Sequence, residues 1–373
     1  MLPTRLALLV LTVVATPFAL AQAPPVAEWN FDGGVEGWTS LDPAARVSGT
    51  ADANIVRENG GGCLEFAYTP KTGVISGTVV PVPGGLTGAQ GVRFWLQSSE
   101  YALATVLLAE TDGSAYIATF SSLPGTWQEV ALGLSEFQPM DNTQDENGTL
   151  DPDQIAAIGF GDVIFMLDAA AKAWPFILAP DLGPRMLWVD DVQVTSEPVP
   201  PRWEVAQIDG VRSVRLDSFE AAPLQWLTLA GKGIEVTYDR EHKVHGEFSL
   251  RATYNIPADK VFGIMTVPAG APLAGTRSVT LSAMSEKPVT LFMELKERDE
   301  SKYQATAQVV GSAQFEKLLV PVTDFALAGD STDENGKLDF DQLKEFLIVD
   351  LSAVTGAPAS PNTLWFDNIR FAE

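Results

Sequence analysis

The sequence predicts an all-β fold built from two tandem β-sandwiches of the jelly-roll type, and three observations support this prediction. The stretch DENGTLDPDQI, residues 145–155, returns as DENGKLDFDQL, residues 333–343, so the chain contains a repeat with an offset of 188 residues. From Pro24 onward, short runs of alternating apolar and polar residues are separated by Gly, Pro, Asn and Asp. The length of 373 residues suits two ordinary domains.

The repeat extends beyond this acidic turn. The pair Phe31-Asp32, followed by Trp38, has the same offset from Phe219-Glu220, which is followed by Trp226. The run LWVDDV at 187–192 returns as LWFDNI at 364–369, where the offset has fallen to 177 residues. The first copy therefore carries about 11 additional residues late in its course.

The alternating runs predict about nine strands in each copy, which is typical of a two-sheet jelly roll. In the second copy the matching set lies between Val211 and Phe371. The strands predicted in the first copy are Glu28–Phe31, Leu64–Tyr68, Val74–Val80, Val92–Leu96, Leu103–Glu110, Ala115–Phe120, Trp127–Leu132, Ile158–Met166 and Met186–Val194.

Each copy is also predicted to have one short helix directly after the acidic Asn-Gly turn. Asp151 is followed three residues later by Gln154, and Asp339 by Gln342, the spacing of a capping box. An apolar stripe then follows, which is expected of a helix packed on a sandwich. Its members are Ile155 and Ile158 in the first copy, and Leu343, Phe346 and Leu347 in the second.

Residues 1–21 predict a secretory signal. Arg5 precedes the apolar run 6–20, and Ala19-Leu20-Ala21 has the small residues of a cleavage site, so cleavage is expected after Ala21. Residues 22–196 then form the first domain, 197–210 a proline-rich linker, and 211–373 the second domain. No later run is long enough to span a membrane, so an extracytoplasmic protein, periplasmic or secreted, is expected.

The composition narrows the classes of partner. The chain has 24 basic and 48 acidic residues, a net charge of −24. Such a surface disfavours nucleic acid and anionic membranes, whose binding depends on lysine and arginine. Calcium or a neutral ligand fits it better, although solubility outside the cell explains the charge equally well. Cys63 is the only cysteine, lies in a strand-like run, and is predicted to be a buried apolar residue rather than a reactive thiol.

Several short motifs resemble those of a known group of domains. They are Phe31-Asp32 and Phe219-Glu220, each with a tryptophan six residues after the acidic residue, the strand 246–254 (GEFSLRATY), and the final Trp-x-Asp-Asp/Asn runs. Their order resembles that of galactose-binding-like jelly rolls, especially carbohydrate-binding modules of the family 11 kind and the domain of the complex I intermediate-associated protein family. The resemblance covers both copies, although the strand motif is degraded in the first.

The resemblance implies a structural calcium ion in each copy. In related calcium-containing modules, the acidic residue after the first-strand phenylalanine and the first aspartate of the last strand share the ion. These positions are Asp32 and Asp190 in the first copy, and Glu220 and Asp367 in the second. Calcium prefers six to eight oxygen ligands, so carboxylates that join the first and last strands suit it. The alternative is that these residues are merely solvated.

Two other groups of residues have some features of a metal site. On the helical calcium-loop template the acidic turn places Asp145 or Asp333 at position three, but position twelve is Gln154 or Gln342 instead of glutamate. A capping box and an Asn-Gly turn explain the same residues. His242 and His245 are the only histidines, and their spacing permits a transition-metal pair, yet no third ligand is evident.

A sugar-binding surface needs an aromatic face together with amides and carboxylates. In the second copy, alternation along 289–296 places one set of side chains away from the core, and the next strand adds a polar face. These candidate ligand residues are Phe292, Glu294, Lys296, Gln304, Thr306 and Gln308. The alternative is an ordinary solvated sheet.

The corresponding positions of the first copy suit sugar hydroxyls poorly. They are Thr105, Leu107, Ala109, Ile117 and Thr119. The additional segment supplies Trp174 and Phe176, which are predicted either to form an aromatic platform or to cover this apolar face.

No catalytic arrangement is recognisable, since the first copy has no histidine and no phosphate-binding glycine loop is present. The sequence therefore predicts a non-catalytic, exported protein with two modules that bind a polysaccharide or glycan. The alternative is a calcium-stabilised structural or protein-interaction module with a partner protein in the cell envelope and no sugar ligand.

Overall fold

The computed structural model describes residues 23–373, except 59–60, 141–142, 144, 146, 221–222, 230, 313 and 357–360. Within these residues the chain forms 25 β-strands, one α-helix and several single 3-10 turns, as the all-β prediction requires. The predicted signal segment lies outside the described residues. None of the helices in the described part is long and apolar enough to cross a membrane.

The first copy contains strands β1 to β12 and helix α1. Their bounds are β1 Ala27–Trp29, β2 Thr39–Ser40, β3 Arg46–Thr50, β4 Cys63–Tyr68, β5 Ser76–Pro81, β6 Gly91–Ser98, β7 Ala102–Glu110, β8 Ala115–Ser122, β9 Gln128–Gly133, β10 Gln138–Pro139, β11 Ile155–Asp162, α1 Phe165–Ala173 and β12 Arg185–Thr195. One sheet has the order β3-β4-β12-β6-β9, with β1 also paired to β12, and the other has the order β10-β8-β7-β11-β5-β2.

The second copy contains strands β13 to β25. Their bounds are β13 Glu204–Ile208, β14 Val211–Asp217, β15 Leu227–Thr228, β16 Ile234–Asp239, β17 Ser249–Tyr254, β18 Phe262–Thr266, β19 Ser278–Ser285, β20 Val289–Glu297, β21 Lys302–Val309, β22 Glu316–Pro321, β23 Ala326–Leu327, β24 Leu343–Asp350 and β25 Asn362–Ala372. One sheet joins β13, β14, β25, β17, β16, β19 and β22, and the other has the order β15-β18-β24-β20-β21-β23.

The two copies have the same strand pairing, which explains the sequence repeat. The run β2-β5-β11-β7-β8-β10 of the first copy corresponds position by position to β15-β18-β24-β20-β21-β23 of the second. Strand β13 has no counterpart and forms an antiparallel hairpin with β14. It lies within 197–210, the segment predicted as a linker, and follows the prolines of that segment, which cannot donate ladder hydrogen bonds.

Each sandwich is held together by apolar side chains from the inner faces of both sheets. In the first copy the rings of Phe94 on β6 and Phe160 on β11 meet across the sandwich at 4.7 Å. Along β20 the side chains alternate as predicted, because Val289, Leu291, Met293 and Leu295 are all buried.

A buried tyrosine also joins the two sheets in each copy. The Tyr68 hydroxyl donates to Asp162 at 2.8 Å, and the Tyr254 hydroxyl donates to Asp350 at 2.7 Å. The partner from the last strand differs, since Arg185 also binds Asp162 whereas Asn362 binds the Tyr254 hydroxyl.

The segment after each acidic turn differs from the prediction. The expected helix is a single 3-10 turn, Pro152–Gln154 or Phe340–Gln342, and the apolar residues assigned to its stripe begin strands β11 and β24. The capping box is absent because the backbone N–H of Asp151 donates to the side chain of Glu110 on β7. The α-helix α1 lies instead in the additional segment of the first copy.

The two sandwiches contact each other directly. The N–H of Ser121 donates to the carbonyl of Leu224, and its hydroxyl donates to the carbonyl of Trp226 at 2.9 Å. The Tyr101 hydroxyl accepts from the N–H of Thr228 at 3.0 Å. A cluster of Leu103, Val163, Ile164 and Leu167 adjoins Leu227 and Leu229 of the second copy.

We expect the Cys63 thiol to be unreactive until the protein unfolds. It is fully buried, and burial together with the nearby Asp190 and Glu65 carboxylates raises its pKa to about 12. At pH 8 it should hold on the order of a thousandfold less thiolate than a free cysteine. Absorbance with an aromatic disulfide reagent should show no reaction without urea, whereas Val310→Cys in a Cys63→Ser background should react at once. Rapid labelling of folded wild-type protein would contradict the burial.

Candidate ligand face and cation sites

The six candidate ligand residues of the second copy lie on one outer face of strands β20 and β21. Phe292 is paired with Thr306 on β21 and with Val349 on β24. Glu294 faces Gln304, whose amide donates to the carboxylate at 2.7 Å. The structure therefore brings together the residues that alternation selected.

Charged and polar neighbours surround this aromatic residue. Lys296 is paired with Glu300 at 2.5 Å and lies 3.7 Å from Glu345, so its charge is balanced. At the other end, the Thr290 hydroxyl donates to the side-chain amide oxygen of Gln308 at 3.2 Å. A half-buried ring with amides, hydroxyls and carboxylates on both sides can stack on a sugar ring and hydrogen-bond to its hydroxyls.

The additional segment of the first copy reaches the same sheet of the second copy. The carbonyl of Phe176 accepts from the N–H of Val261 at 3.0 Å, one residue before β18, and Lys260 donates to the carbonyl of Pro175. Trp174 and Phe176 stay exposed, with ring centroids 6.0 Å apart. Strand β24 separates β18 from β20, so the backbone contact of this segment at the start of β18 lies about two strand spacings, ~10 Å, from the strand that carries Phe292.

The equivalent face of the first copy is largely covered. Leu103 packs with Val163 and Leu167, while Ser121 contacts the second copy. Thr105 is buried and bonds to Thr119, and Leu107 is half-buried. The residues that cover the face are therefore those before and within α1, and not Trp174 or Phe176.

A cavity of about 150 Å³ lies between the copies, beside Ile117 and Thr119 of the first and Trp203 and Gln225 of the second. Its polar groups bind one another. Gln225 donates to Glu136, and the Trp203 indole N–H donates to the carbonyl of Ala269 at 3.2 Å.

The second copy contains an incompletely satisfied carboxylate at its predicted strand-end metal site. Asp367 is completely buried, and its Oδ2 accepts from the N–H groups of Val244 at 2.5 Å and His245 at 2.8 Å. Its Oδ1 has no hydrogen-bond partner among the described residues. Burial raises the pKa of this carboxyl against the effect of the backbone N–H groups of Val244, His245 and Asn368 and of the His245 side chain. Glu220 binds the same loop, through the N–H groups of Glu247 and Phe248.

The residues at this site fit an oxygen-coordinated cation. Burying a carboxylate oxygen without a partner is costly, and a calcium ion would supply the missing charge. Asp367 Oδ1 is the open oxygen there, and it would be the first ligand. Both oxygens of Glu220 accept from N–H groups of the loop 244–248, so Glu220 would have to exchange one of these partners to share the ion.

The strand-end site of the first copy does not fit a metal ion in the same way. Asp190 Oδ2 accepts from Arg57 Nε at 2.7 Å, and its Oδ1 accepts from the N–H of Asp191 at 2.8 Å, so both oxygens have partners. Asp32 accepts from the N–H of Gly62 at 2.9 Å. A guanidinium group therefore stands where the resemblance implies calcium.

In both copies the acidic turn is bonded to the residues at a hairpin connection, β7–β8 in the first copy and β20–β21 in the second. Oxygen atoms of Glu110, Asp112 and Asp145 lie within 4.8 Å of one another, as do those of Glu297, Asp299 and Asp333. These groups already have donors. Glu110 accepts from the Ser114 hydroxyl and the N–H of Asp151, and Asp145 accepts from the Tyr116 hydroxyl.

The two histidines do not form a pair. His242 Nδ1 lies 3.0 Å from the carboxylate of Asp239, which also accepts from the indole N–H of Trp365 at 2.8 Å. His245 instead donates its backbone N–H to Asp367. Burial opposes ionisation of Asp239, but the hydrogen bonds from Trp365, Glu241 and His242 outweigh it and lower the pKa to about 2. The hydrogen bonds of Asp239 to His242 and Trp365 hold the loop between β16 and β17, which belong to the sheet opposite the ligand face.

Sequence reasoning missed Arg57 and the buried glutamates Glu110 and Glu297. A signal for the glutamates was available, since Glu-x-Asp-x-Ser occurs at 110–114 and at 297–301. No comparable signal marked Arg57, because the loop that contains it has no repeat in the second copy.

We expect Glu297→Ala to lower the free energy of unfolding by about 1–3 kcal/mol, because the buried carboxylate is the acceptor for the Ser301 hydroxyl and the N–H of Asp339. Urea unfolding in the presence of chelator measures the change. Asp341→Ala, an exposed acidic residue of the same turn, is the control and should stay within about 0.5 kcal/mol of wild type. Equal stability of the two variants would show that the turn does not depend on Glu297.

No protein-family model and no curated protein matches the chain. Among solved structures, it is similar to the family 11 carbohydrate-binding module of the cellulosomal cellulase Lic26A-Cel5E of Clostridium thermocellum, with 21% identity, a TM-score of 0.34, and coverage of 47% of this chain and 98% of the module. A family 11 module from Clostridium thermocellum in complex with a β-1,3-1,4-mixed-linked tetrasaccharide matches at 17% identity and a TM-score of 0.32, covering 43% and 94%.

A match that extends over both copies is the N-terminal CBM22-1-CBM22-2 tandem domain of Xyn10C from Paenibacillus barcinonensis. It has 10% identity and a TM-score of 0.29, and it covers 95% of this chain and 99% of the tandem. The resemblance to family 11 modules that the motifs predict is thus confirmed as a similarity. The resemblance to the complex I intermediate-associated protein family stays a prediction.

Proposed function

We propose that the protein is an exported, non-catalytic binder of polysaccharide or glycan whose main binding face is the outer surface of β18, β24, β20 and β21. One observation carries the proposal. The candidate residues on β20 and β21, predicted from alternation alone, lie side by side around the half-buried ring of Phe292. Export is inferred from the predicted signal segment.

The chemistry of this face suits a neutral glycan. The ring of Phe292 offers an apolar surface for the C–H side of a sugar, while Gln304, Glu294 and Gln308 offer planar donors and acceptors. The Gln304–Glu294 hydrogen bond of 2.7 Å holds two of these groups in place before a ligand arrives, which lowers the entropic cost of binding.

The binding is assigned to the second copy, since the equivalent face of the first copy is covered by residues near α1 and by the second sandwich. Trp174 and Phe176 belong to the first copy in sequence but border the face of the second. They are proposed to extend the surface along which a glycan lies.

The proposal of a non-catalytic protein is supported by the position of both histidines. His242 and His245 lie in the connection between β16 and β17, strands of the sheet opposite the ligand face. A structural calcium ion, held by Asp367 and Glu220 in the second copy, completes the proposal. It would stabilise the sandwich that carries the ligand face without touching the glycan.

We expect Phe292→Ala to weaken glycan binding at least tenfold, about 1.4 kcal/mol or more, because the aromatic platform is removed. Calorimetric titration of the full chain with soluble β-glucans, xylans and mannans measures the affinity. Leu319→Ala, an exposed apolar residue of β22 in the opposite sheet, is the matched control and should bind as wild type.

The panel also tests the alternative function. If no polymer gives saturable heat with wild-type protein, glycan binding fails, and a structural or protein-interaction module of the envelope becomes the better explanation. If Phe292→Ala binds a polymer as tightly as wild type, the glycan lies elsewhere on the molecule.

Trp174→Ala combined with Phe176→Ala should weaken the binding of a long glycan about three- to tenfold while leaving a short oligosaccharide centred on Phe292 unaffected. The reason is that these rings border the face and contact only a ligand long enough to reach them. Titrations with oligosaccharides of increasing length measure the difference. Met166→Ala, exposed on α1 in the same segment, is the control. An equal loss for short and long ligands would contradict a peripheral role.

A further inference from the structure

We infer that the first copy balances its last-strand carboxylates with the guanidinium group of Arg57, and that only the second copy takes a divalent cation at the equivalent position. The second half of this inference rests on the calcium proposed above, whereas the first half stands without it. The two copies would then use different cations to meet the same electrostatic requirement.

The two positions are structurally equivalent. Asp190 on β12 and Asp367 on β25 each lie where the last strand changes register against its neighbour, and the following residues, Asp191 and Asn368, have positive φ angles of 47° and 52°. Aspartate and asparagine tolerate this left-handed conformation better than most residues. Each copy therefore places one buried carboxylate at the same point of the sandwich.

Arg57 meets the requirement in the first copy. Its Nε lies 2.7 Å from Asp190 Oδ2, and its Nη2 is paired with Asp191. The guanidinium carbon lies 4.6 Å from the ring centroid of Trp95, and the side chain is only 12% exposed. The guanidinium group of Arg57 is planar and permanently charged, and it contacts two carboxylates and an aromatic ring. It therefore acts as the counter-ion of the two carboxylates.

Among the described residues of the second copy, no arginine or lysine is hydrogen-bonded to Asp367, and the neighbouring ionisable group is the His245 imidazole. Strands β4 and β17 begin at Cys63 and Ser249, and counting back the same six residues from each gives Arg57 and Lys243. Lys243 is exposed and donates to the carbonyl of Arg240 at 2.9 Å, away from Asp367. The second acidic residue is also missing, since Asn368 replaces Asp191 and binds Arg215 Nε at 3.0 Å.

The unpartnered Oδ1 of Asp367 is the observation that points to an ion in the second copy. Its counterpart, Asp190 Oδ1, accepts from the N–H of Asp191. Asp367 is completely buried and has only backbone N–H groups and the neighbouring His245 side chain to balance its charge, so a calcium ion at Oδ1 would add the missing positive charge.

This difference makes metal dependence a property of one module. A chelator should loosen the second sandwich, which carries the proposed ligand face, and leave the Arg57 site of the first unchanged. Replacing Arg57 with a neutral residue should expose the Asp190 and Asp191 carboxylates and create a response to calcium.

The first test counts calcium ions by isothermal titration calorimetry on the full chain after removal of bound metal with chelator. Asp367→Asn should bind one calcium fewer per chain than wild type, whereas Asp190→Asn should bind the same number. Any calcium ions bound elsewhere, such as at the acidic turns, are counted equally in the variants and in wild type and so do not affect the difference. Loss of one ion in Asp190→Asn would overturn the assignment of Arg57, and equal counts in wild type and Asp367→Asn would overturn the calcium of the second copy.

The second test compares melting temperatures with calcium and with chelator. Arg57→Gln should melt lower than wild type in chelator and gain more from calcium than wild type does, while Arg57→Lys, which keeps the charge, should gain no more than wild type. Arg46→Gln, from an ion pair whose arginine side chain is 72% exposed, is the matched control. If Arg57→Gln does not fold, adding Asp190→Asn removes the buried charge that Arg57 balances and should restore folding. Failure of the double variant to fold, or a calcium gain in folded Arg57→Gln that equals the wild-type gain, would overturn the inference.

Discussion

The buried carboxylate of the last strand is the constraint around which each sandwich is arranged. Asp190 and Asp367 lie inside the protein at a register change of the central strand, so each copy must provide a positive charge or N–H donors there. The loop before β4 or β17 supplies them, through Arg57 in the first copy and through the N–H groups of Val244 and His245 in the second. The strand framework is shared, while the source of the compensation differs.

A similar division separates the ligand faces of the two copies. The outer face of β7 and β8 packs against α1 and the second sandwich, so the hydroxyl groups of Thr105 and Ser121 are used within the protein. The equivalent strands β20 and β21 keep their polar side chains at the surface. The additional segment contributes to the asymmetry, because its apolar residues cover one face, while Pro175 and Phe176 bind the residues just before β18 of the other copy. One copy therefore has a covered outer face, and the other has an open one.

Much of the fold followed from the sequence, because the signals were local and occurred twice. Alternation identified the long strands and the outward residues of β20, since side chains in a strand alternate with a period of two. The two-residue strands β2, β10, β15 and β23 were not predicted, because such short runs carry no period. The prediction of a helix after the acidic turn was wrong. Glu110, which is distant in sequence, accepts from the backbone N–H of Asp151 that a capping box would require.

The site was harder to predict, because its important contacts join residues far apart in the chain. Arg57 is 133 residues from Asp190, and nothing in the composition of its loop indicates that it faces a carboxylate. The same holds for Phe176, which the sequence predicts to lie at a face of the first copy but which binds the backbone before β18 of the second. Sequence repeats reveal what two copies have in common, whereas the proposed ligand face and cation site depend on what they do not share. The residues that distinguish the copies, Arg57, Asp191 and the additional segment, lie where the repeat breaks down, so repeat analysis alone could not assign them a role.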